Sequence, residues 1–222
     1  MSEKIKNRLL SILGGVALAV AILCFSIALP IYVRPFYYAQ INALGLPERT
    51  GYSREQIKDA YDGVLDYLTL PGKEFSTGVF PHSAEGAAHF ADCRALFTLN
   101  LLLLLGACLT LILLKMLQRG GVFVPSRPFG RPLPLTVGGA LLLLFAALGI
   151  FVGVNFKAAF TLFHKLFFAG ESNWKFDPES DAIITALPNA FFLNCGALIA
   201  GSAILFSLSC IAYALYKAKK AP

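Results

Sequence analysis

Four long apolar blocks, at residues 9–33, 95–116, 133–156 and 190–216, leave a chain of this size few folds to choose from. A helix rises about 1.5 Å per residue, so roughly 20 apolar residues cross the hydrocarbon layer of a bilayer, and each block is at least that long. Hydrocarbon offers no water to an unpaired N–H or C=O, so such segments must close their backbone hydrogen bonds internally, as helices do. Composition agrees: 57% of the 222 residues are hydrophobic and 14% are charged, where a soluble domain carries about 25% charged residues. The expected fold is all-α, a polytopic membrane protein built as a four-transmembrane-helix bundle in one membrane domain over residues 1–222.

Charge decides which side faces which compartment. Of the 19 Lys and Arg residues, ten lie before the first block, from the end of the second (Lys115) to the start of the third, or after the fourth, with a single acid, Glu3. The other two connecting segments, residues 34–94 and 157–189, hold the remaining nine basic residues and twelve of the 13 acids. One side therefore sums to +9 and the other to −3, and the basic side is expected to be cytoplasmic, with both termini on it. The two acidic segments would form an extracytoplasmic helical cap. Basic charge placed this way suits anionic membrane lipid; no segment is both basic and aromatic enough to follow a nucleic-acid strand, so no nucleic-acid partner is expected. A cleaved signal peptide is the alternative for the first block, with Lys4, Lys6 and Arg8 in front and Ser26-Ile27-Ala28 behind. The apolar run over residues 9–29 exceeds the roughly 7–15 residues of a secretory core, which favours a retained helix.

The polar residues exclude several chemistries. Cys24, Cys108, Cys195 and Cys210 fall inside apolar blocks, only Cys93 lies near the outer surface, and there is no C-x-x-C; they read as buried small hydrophobes, not a thiol relay. No charged residue sits mid-span, which counts against a proton-coupled transporter. No G-x-S-x-G is present, so a covalent serine hydrolase is not indicated. Gly149-x-x-x-Gly153 permits a close helix contact in the third span.

Both outer segments carry helical and aromatic signals. Residues 51–70 read as an amphipathic helix: Ser53 and Gln56 fit a capping box, Ile57, Ala60, Tyr61, Val64, Leu65 and Leu68 recur at helical spacing, and Pro71-Gly72 ends it. Before it, Arg34, Tyr37 and Tyr38 stand with Tyr32 and Phe36 at the outer end of the first span. That cluster serves as an aromatic belt at headgroup level or as the wall of an acyl pocket. The second segment repeats the theme with Phe160, Phe163, Phe167, Phe168, Trp174 and Phe176. Asp177-Pro178 then reads as an N-cap and first-turn proline, opening a short helix that ends before Pro188.

Three histidines occur, His82, His89 and His164, all on the outer side. An imidazole has an ordinary pKa near 6.5, so it can take and return a proton at neutral pH. His89 precedes the second apolar block by six residues, roughly 10 Å along a helix, and His164 follows the third by eight. Both are expected at the junction of cap and membrane, as an acid–base pair or as two hydrogen-bonded interfacial side chains. His82-x6-His89 is not a one-turn spacing and there is no H-E-x-x-H, so no metal is expected.

Two runs carry a family resemblance. Phe163-His164-Lys165-Leu166-Phe167-Phe168, Gly170, Trp174-Lys175-Phe176-Asp177-Pro178, Asp181, Ile183-Ile184, Pro188 and Phe191-Phe192 resemble the signature of the bacterial lipoprotein intramolecular transacylases. His89-x-x-Asp92-Cys93-Arg94-x-Leu96-Phe97 is similar to that family's entry into a span, with Cys93 where a small aliphatic residue is expected. The resemblance covers nearly the whole chain. It implies a cell-membrane acyltransferase that moves the sn-2 acyl chain of a diacylglyceryl-modified lipoprotein onto the α-amino group of the same lipoprotein's N-terminal cysteine, with no cofactor. It assigns catalysis to His89 and His164. Arg94 and Asn173 are candidate electrostatic partners, and Arg34, Tyr37, Tyr38, Phe163, Phe167 and Trp174 candidate substrate contacts. A non-catalytic four-span scaffold and a small transporter are the alternatives; the chain has no pair of external cysteines for the disulfide a scaffold loop usually carries.

Overall fold

The computed structural model describes residues 2–220, and over these all regular secondary structure is helical. The helices are α1 (Glu3–Tyr32), α2 (Pro35–Ala43), α3 (Leu46–Thr50), α4 (Arg54–Thr69), α5 (Ala84–Arg119), α6 (Leu133–Val154), α7 (Phe156–Phe167), α8 (Ile183–Ala186) and α9 (Asn189–Lys219). Among the described residues α1, α5, α6 and α9 are long and apolar enough to cross a membrane. The 36 residues of α5 rise about 54 Å, well beyond the ~30 Å hydrocarbon layer. Its first turns, ahead of Ala95 and carrying Glu85, His89, Asp92 and Arg94, therefore stand outside the spanning segment.

Packing divides the chain into two compact units. The bundle unit comprises Met1–Ala28, Asn100–Ile150 and Ile199–Pro222. It buries Ile22, Leu141, Phe145 and Ala203 at its centre and turns Leu109, Leu143 and Ile150 outward, each about two-thirds or more exposed. Such a surface needs lipid around it. The close helix approach here is made by Gly138, where a Cβ would fall 2.6 Å from the Ser207 carbonyl oxygen. Gly149 and Gly153, the pair the sequence pattern singled out, have nothing within 4 Å of such a Cβ.

The cap unit comprises Leu29–Leu99 and Phe151–Leu198. The capping box of α4 forms: the Gln56 amide N–H donates to Ser53 Oγ at 3.2 Å and the Ser53 N–H to Gln56 Oε1 at 2.8 Å. All six apolar residues of its periodic stripe are buried, in one cluster with Tyr37, Ile41, Leu46, Phe80 and Phe191. The apolar face of α4 is thus covered by protein. Two boundaries differ from expectation. The third apolar block does not run unbroken to residue 156: α6 stops at Val154, and Asn155 caps a separate amphipathic helix, α7, its Oδ1 accepting the Ala158 N–H at 2.9 Å. And Asp177-Pro178 opens a turn closed by the Asp181 N–H on the Asp177 carbonyl at 2.7 Å, while helix begins only at Ile183.

Candidate active site

Within the cap unit, α7 and the outer turns of α5 bring two imidazoles together. His89 and His164 lie 75 residues apart in sequence, yet their ring centroids are 5.8 Å apart, and both side chains are buried, at 5% and 7% exposure. Aromatic rings enclose them. His89 lies 4.7 Å from Phe168 and 5.5 Å from Phe176. His164 stacks on Trp174 at 4.6 Å and lies 4.2 Å from Phe160.

A carboxylate tether fixes the geometry. Asp181, buried, accepts from the Ser83 N–H at 2.8 Å, from the Ser83 hydroxyl, and from the Ser180 hydroxyl at 3.2 Å. Ser83 Oγ in turn accepts the Gly86 N–H at 2.9 Å, capping the start of α5. The carboxylate packs so closely on α5 that a Cβ at Gly86 would fall 2.0 Å from Asp181 Oδ1. His89 stands one helical turn beyond that contact.

The contacts of the two rings favour the same tautomer in both, with the proton on Nδ1. His164 Nδ1 lies 2.8 Å from the Phe160 carbonyl, and a carbonyl only accepts, so Nδ1 carries the proton and Nε2 holds the free lone pair. His89 Nε2 faces Cys93 Sγ at 3.5 Å. Burial pushes the Cys93 thiol up to about 12, so it stays protonated and has an S–H to give to Nε2. With Nε2 accepting, the proton of His89 is on Nδ1, which is buried and makes no full hydrogen bond, the Asn173 side chain being its polar neighbour. Burial lowers the pKa of both imidazoles. For His89, burial and the neighbouring His164 together bring it down to about 4. Both rings are neutral at pH 7, which lies above both of their lowered pKa values.

The model of the family described as lipoprotein intramolecular transacylase Lit matches residues 12–192. The chain belongs to the lipoprotein intramolecular transacylase family. Membership replaces the scaffold and transporter readings with a membrane acyltransferase acting on lipoproteins. The in meso structure of the membrane-integral transacylase Lit from Bacillus cereus superposes with a TM-score of 0.87 over 98% of each chain at 23% identity. A histidine-to-arginine variant of that Bacillus cereus protein superposes at 0.79, with 23% identity, over 98% of this chain and 94% of the other. At that identity the likeness shows a shared fold. No curated protein matches in sequence.

The other predicted site residues of this transacylase-family chain fall into two groups. Trp174 and Phe163 touch His164 directly, at 4.6 and 5.3 Å between ring centroids, and Phe167 lies tilted against Phe163 at 4.8 Å, half exposed. Asn173 joins the group by donating to Asp92 Oδ2 at 3.1 Å, its own Oδ1 buried and unpartnered. Arg94 instead donates to the Leu70 carbonyl and sits 4.9 Å over the Tyr67 ring. Arg34 binds Asp62 and Asp66, and the Tyr38 hydroxyl also donates to Asp62. Tyr37 is fully buried, stacked 3.7 Å from Tyr61, with its hydroxyl on the Ala186 carbonyl at 2.9 Å. Three phenylalanines, Phe191, Phe192 and Phe160, stand between it and His164. Sequence reasoning passed over Asp92, Cys93, Phe168 and Asp181 as site residues. The i, i+4 spacing of His89 and Cys93 on one helix was the available signal.

Proposed function

We propose that His164 is the base and His89 the hydrogen-bond donor for an intramolecular acyl transfer from the sn-2 position of a diacylglyceryl lipoprotein to the α-amino group of its N-terminal cysteine. The observation that carries this reading is the pairing of a free lone pair on His164 with an unpartnered buried N–H on His89, 5.8 Å apart between rings. An α-amino group, with a pKa of about 8, is mostly protonated at neutral pH and must lose a proton before it attacks. In the proposed sequence the ammonium gives that proton to water, and the amine nitrogen then forms a bond to the ester carbonyl carbon while His164 Nε2 takes a second proton from the same nitrogen. The His89 Nδ1–H donates to the oxyanion so formed, as a neutral imidazole can. Collapse breaks the bond between the acyl carbon and the glyceryl oxygen, and the His164 proton passes to that oxygen. The products are an amide and a free hydroxyl, with no net change in the protein.

Amine and ester belong to one molecule, so holding them together contributes up to about 7–11 kcal/mol through effective concentration. Phe163, Phe167, Phe168 and Trp174 are the proposed walls that hold them and exclude water, which would otherwise hydrolyse the ester. Leu162, Leu166 and Phe167 on α7, each at least half exposed, offer the acyl chain an apolar approach. The charge bias supports a cap that faces away from the cytoplasm, with both termini inside; a phosphatase active only outside the cytoplasm, fused after Lys220, is expected to be silent. The decisive test is mass spectrometry of a model lipoprotein from cells expressing wild type, His89→Ala or His164→Ala. Wild type yields the lyso form; unaltered transfer by both variants refutes the proposed chemistry.

A further inference from the structure

The bundle unit holds a cavity that the transfer reaction does not use. It has a volume of about 590 Å³ and lies among the ends of α1, α5, α6 and α9 on the side rich in Lys and Arg. Three cations line it, Lys115, Arg127 and Lys217, and no carboxylate does. Glu3, the one acid on that side of the chain, is occupied by Lys6 at 2.7 Å. Deeper in, the lining becomes apolar: Leu111 stands one helical turn inside Lys115 on α5, and Leu10 and Leu18 cover about 12 Å along α1. Next to it α5 turns Leu113 and Met116 outward, each more than half exposed, so the surroundings of the cavity are hydrocarbon.

We propose that this cavity binds an anionic phospholipid of the leaflet on the basic side, with its phosphate among Lys115, Arg127 and Lys217 and an acyl chain along Leu10, Leu18 and Leu111. The observation that decides for a lipid is the order of the lining, cationic at the helix ends and apolar one to three turns within, which matches a phosphate joined to a chain. A soluble anion would leave the apolar floor bare. Basic pockets between spanning helices hold anionic headgroups for the same electrostatic reason, each Lys or Arg near the surface adding to the attraction.

Native mass spectrometry of the full-length protein, purified in a neutral detergent and offered phosphatidylglycerol or phosphatidylcholine, tests it. Phosphatidylglycerol is expected to bind at least about tenfold more tightly than phosphatidylcholine and to survive excess inorganic phosphate. The combined variant Lys115→Gln, Arg127→Gln, Lys217→Gln loses roughly fivefold per cation removed. A control removing three positive charges outside the cavity, Arg8→Gln, Lys219→Gln, Lys220→Gln, stays within about twofold of wild type. The altered side chains are exposed in both variants, so neither disturbs the packing. Equal binding of the two lipids, displacement by inorganic phosphate, or an equal loss in the control each overturns the site.

Discussion

Two neighbouring parts of the cap unit treat their polar groups in opposite ways. Around α4, each one is answered: Arg34 by Asp62 and Asp66, Tyr38 by Asp62, and the buried Tyr37 hydroxyl by the Ala186 carbonyl. Around the histidines, His89 Nδ1 and Asn173 Oδ1 are buried and make no full hydrogen bond, although the Asn173 side chain lies beside His89. An unanswered buried polar group costs about 1–3 kcal/mol, so a fold keeps one only where something else is gained. The first region holds the cap together; the second surrounds the two histidines proposed to act on the substrate. Substitutions in the two regions should therefore separate stability from activity.

The largest expected effect is on the histidines. His89→Ala or His164→Ala should lower acyl transfer by about 10²–10⁴-fold, the range for loss of a general acid or base, with the thermal midpoint unchanged or raised. A fall in activity explained by loss of folded protein would erase the contrast. Acid behaviour follows from the same burial. Both imidazoles have folded-state pKa values below their usual 6.5, so the kcat profile should keep its plateau through pH 6.5 and decline only below it. The stability linkage has matching sign: the unfolded ring at about 6.5 binds a proton more readily than the folded one. The stabilising difference is complete above pH 6.5 and is lost as pH falls toward about 4 for His89. A thermal midpoint that drops across that window in wild type, and less in His89→Gln, is the expected record.

Next in size is Gly86→Ala. The added carbon would meet Asp181 Oδ1 at 2.0 Å, and that carboxylate cannot swing away cheaply because Ser83 and Ser180 hold it. Overpacking of this kind costs about 1–3 kcal/mol. The displaced element is the turn of α5 ahead of His89, so transfer should fall by about tenfold or more even at temperatures where the cap stays folded. Full activity in a folded Gly86→Ala protein would remove Asp181 from the positioning of the site.

Much of this architecture is readable from residue order, and the failures have physical causes. Lipid-spanning length marks the four apolar blocks, and Ser53 with Gln56 marks the start of α4, because backbone satisfaction imposes both locally. The break at Asn155 is hidden by apolar residues on either side, although Asn is a preferred N-cap and the chain resumes as an amphipathic helix. Arg34, Tyr37 and Tyr38 read as headgroup belt or pocket wall, since aromatic rings beside an arginine suit both; their packing and ion pairs against α4 are a tertiary fact. The Asp181 carboxylate reaches Ser83 across 98 residues, a pairing that no local pattern announces.

A smaller effect separates the two regions from the side of stability. Tyr37→Phe deletes the hydroxyl that answers the Ala186 carbonyl and should cost about 1 kcal/mol of cap stability. Transfer measured well below the melting transition should be unchanged, since the ring is fully buried and three phenylalanines away from His164. A KM increase in Tyr37→Phe would place substrate where the packing leaves no room for it.

The smallest expected effect tests the tautomer itself. Cys93 Sγ lies 3.5 Å from His89 Nε2, and an S–H given to that nitrogen keeps the His89 proton on Nδ1, which makes no full hydrogen bond of its own. Cys93→Ala removes the donor without adding bulk, so both tautomers of His89 become accessible and only part of the population presents Nδ1–H. A loss of about twofold to fivefold in kcat, with KM unchanged, is expected from such a partition. Cys93→Ser, whose hydroxyl can donate in the same place, should recover most of it. Nitrogen chemical shifts of the His89 ring give the readout that a purely packing role would not move: Nδ1 protonated in wild type and Cys93→Ser, mixed in Cys93→Ala. A single unchanged tautomer in all three would show that the ring takes its orientation from elsewhere, and the division of labour between the two imidazoles would then have to be reassigned.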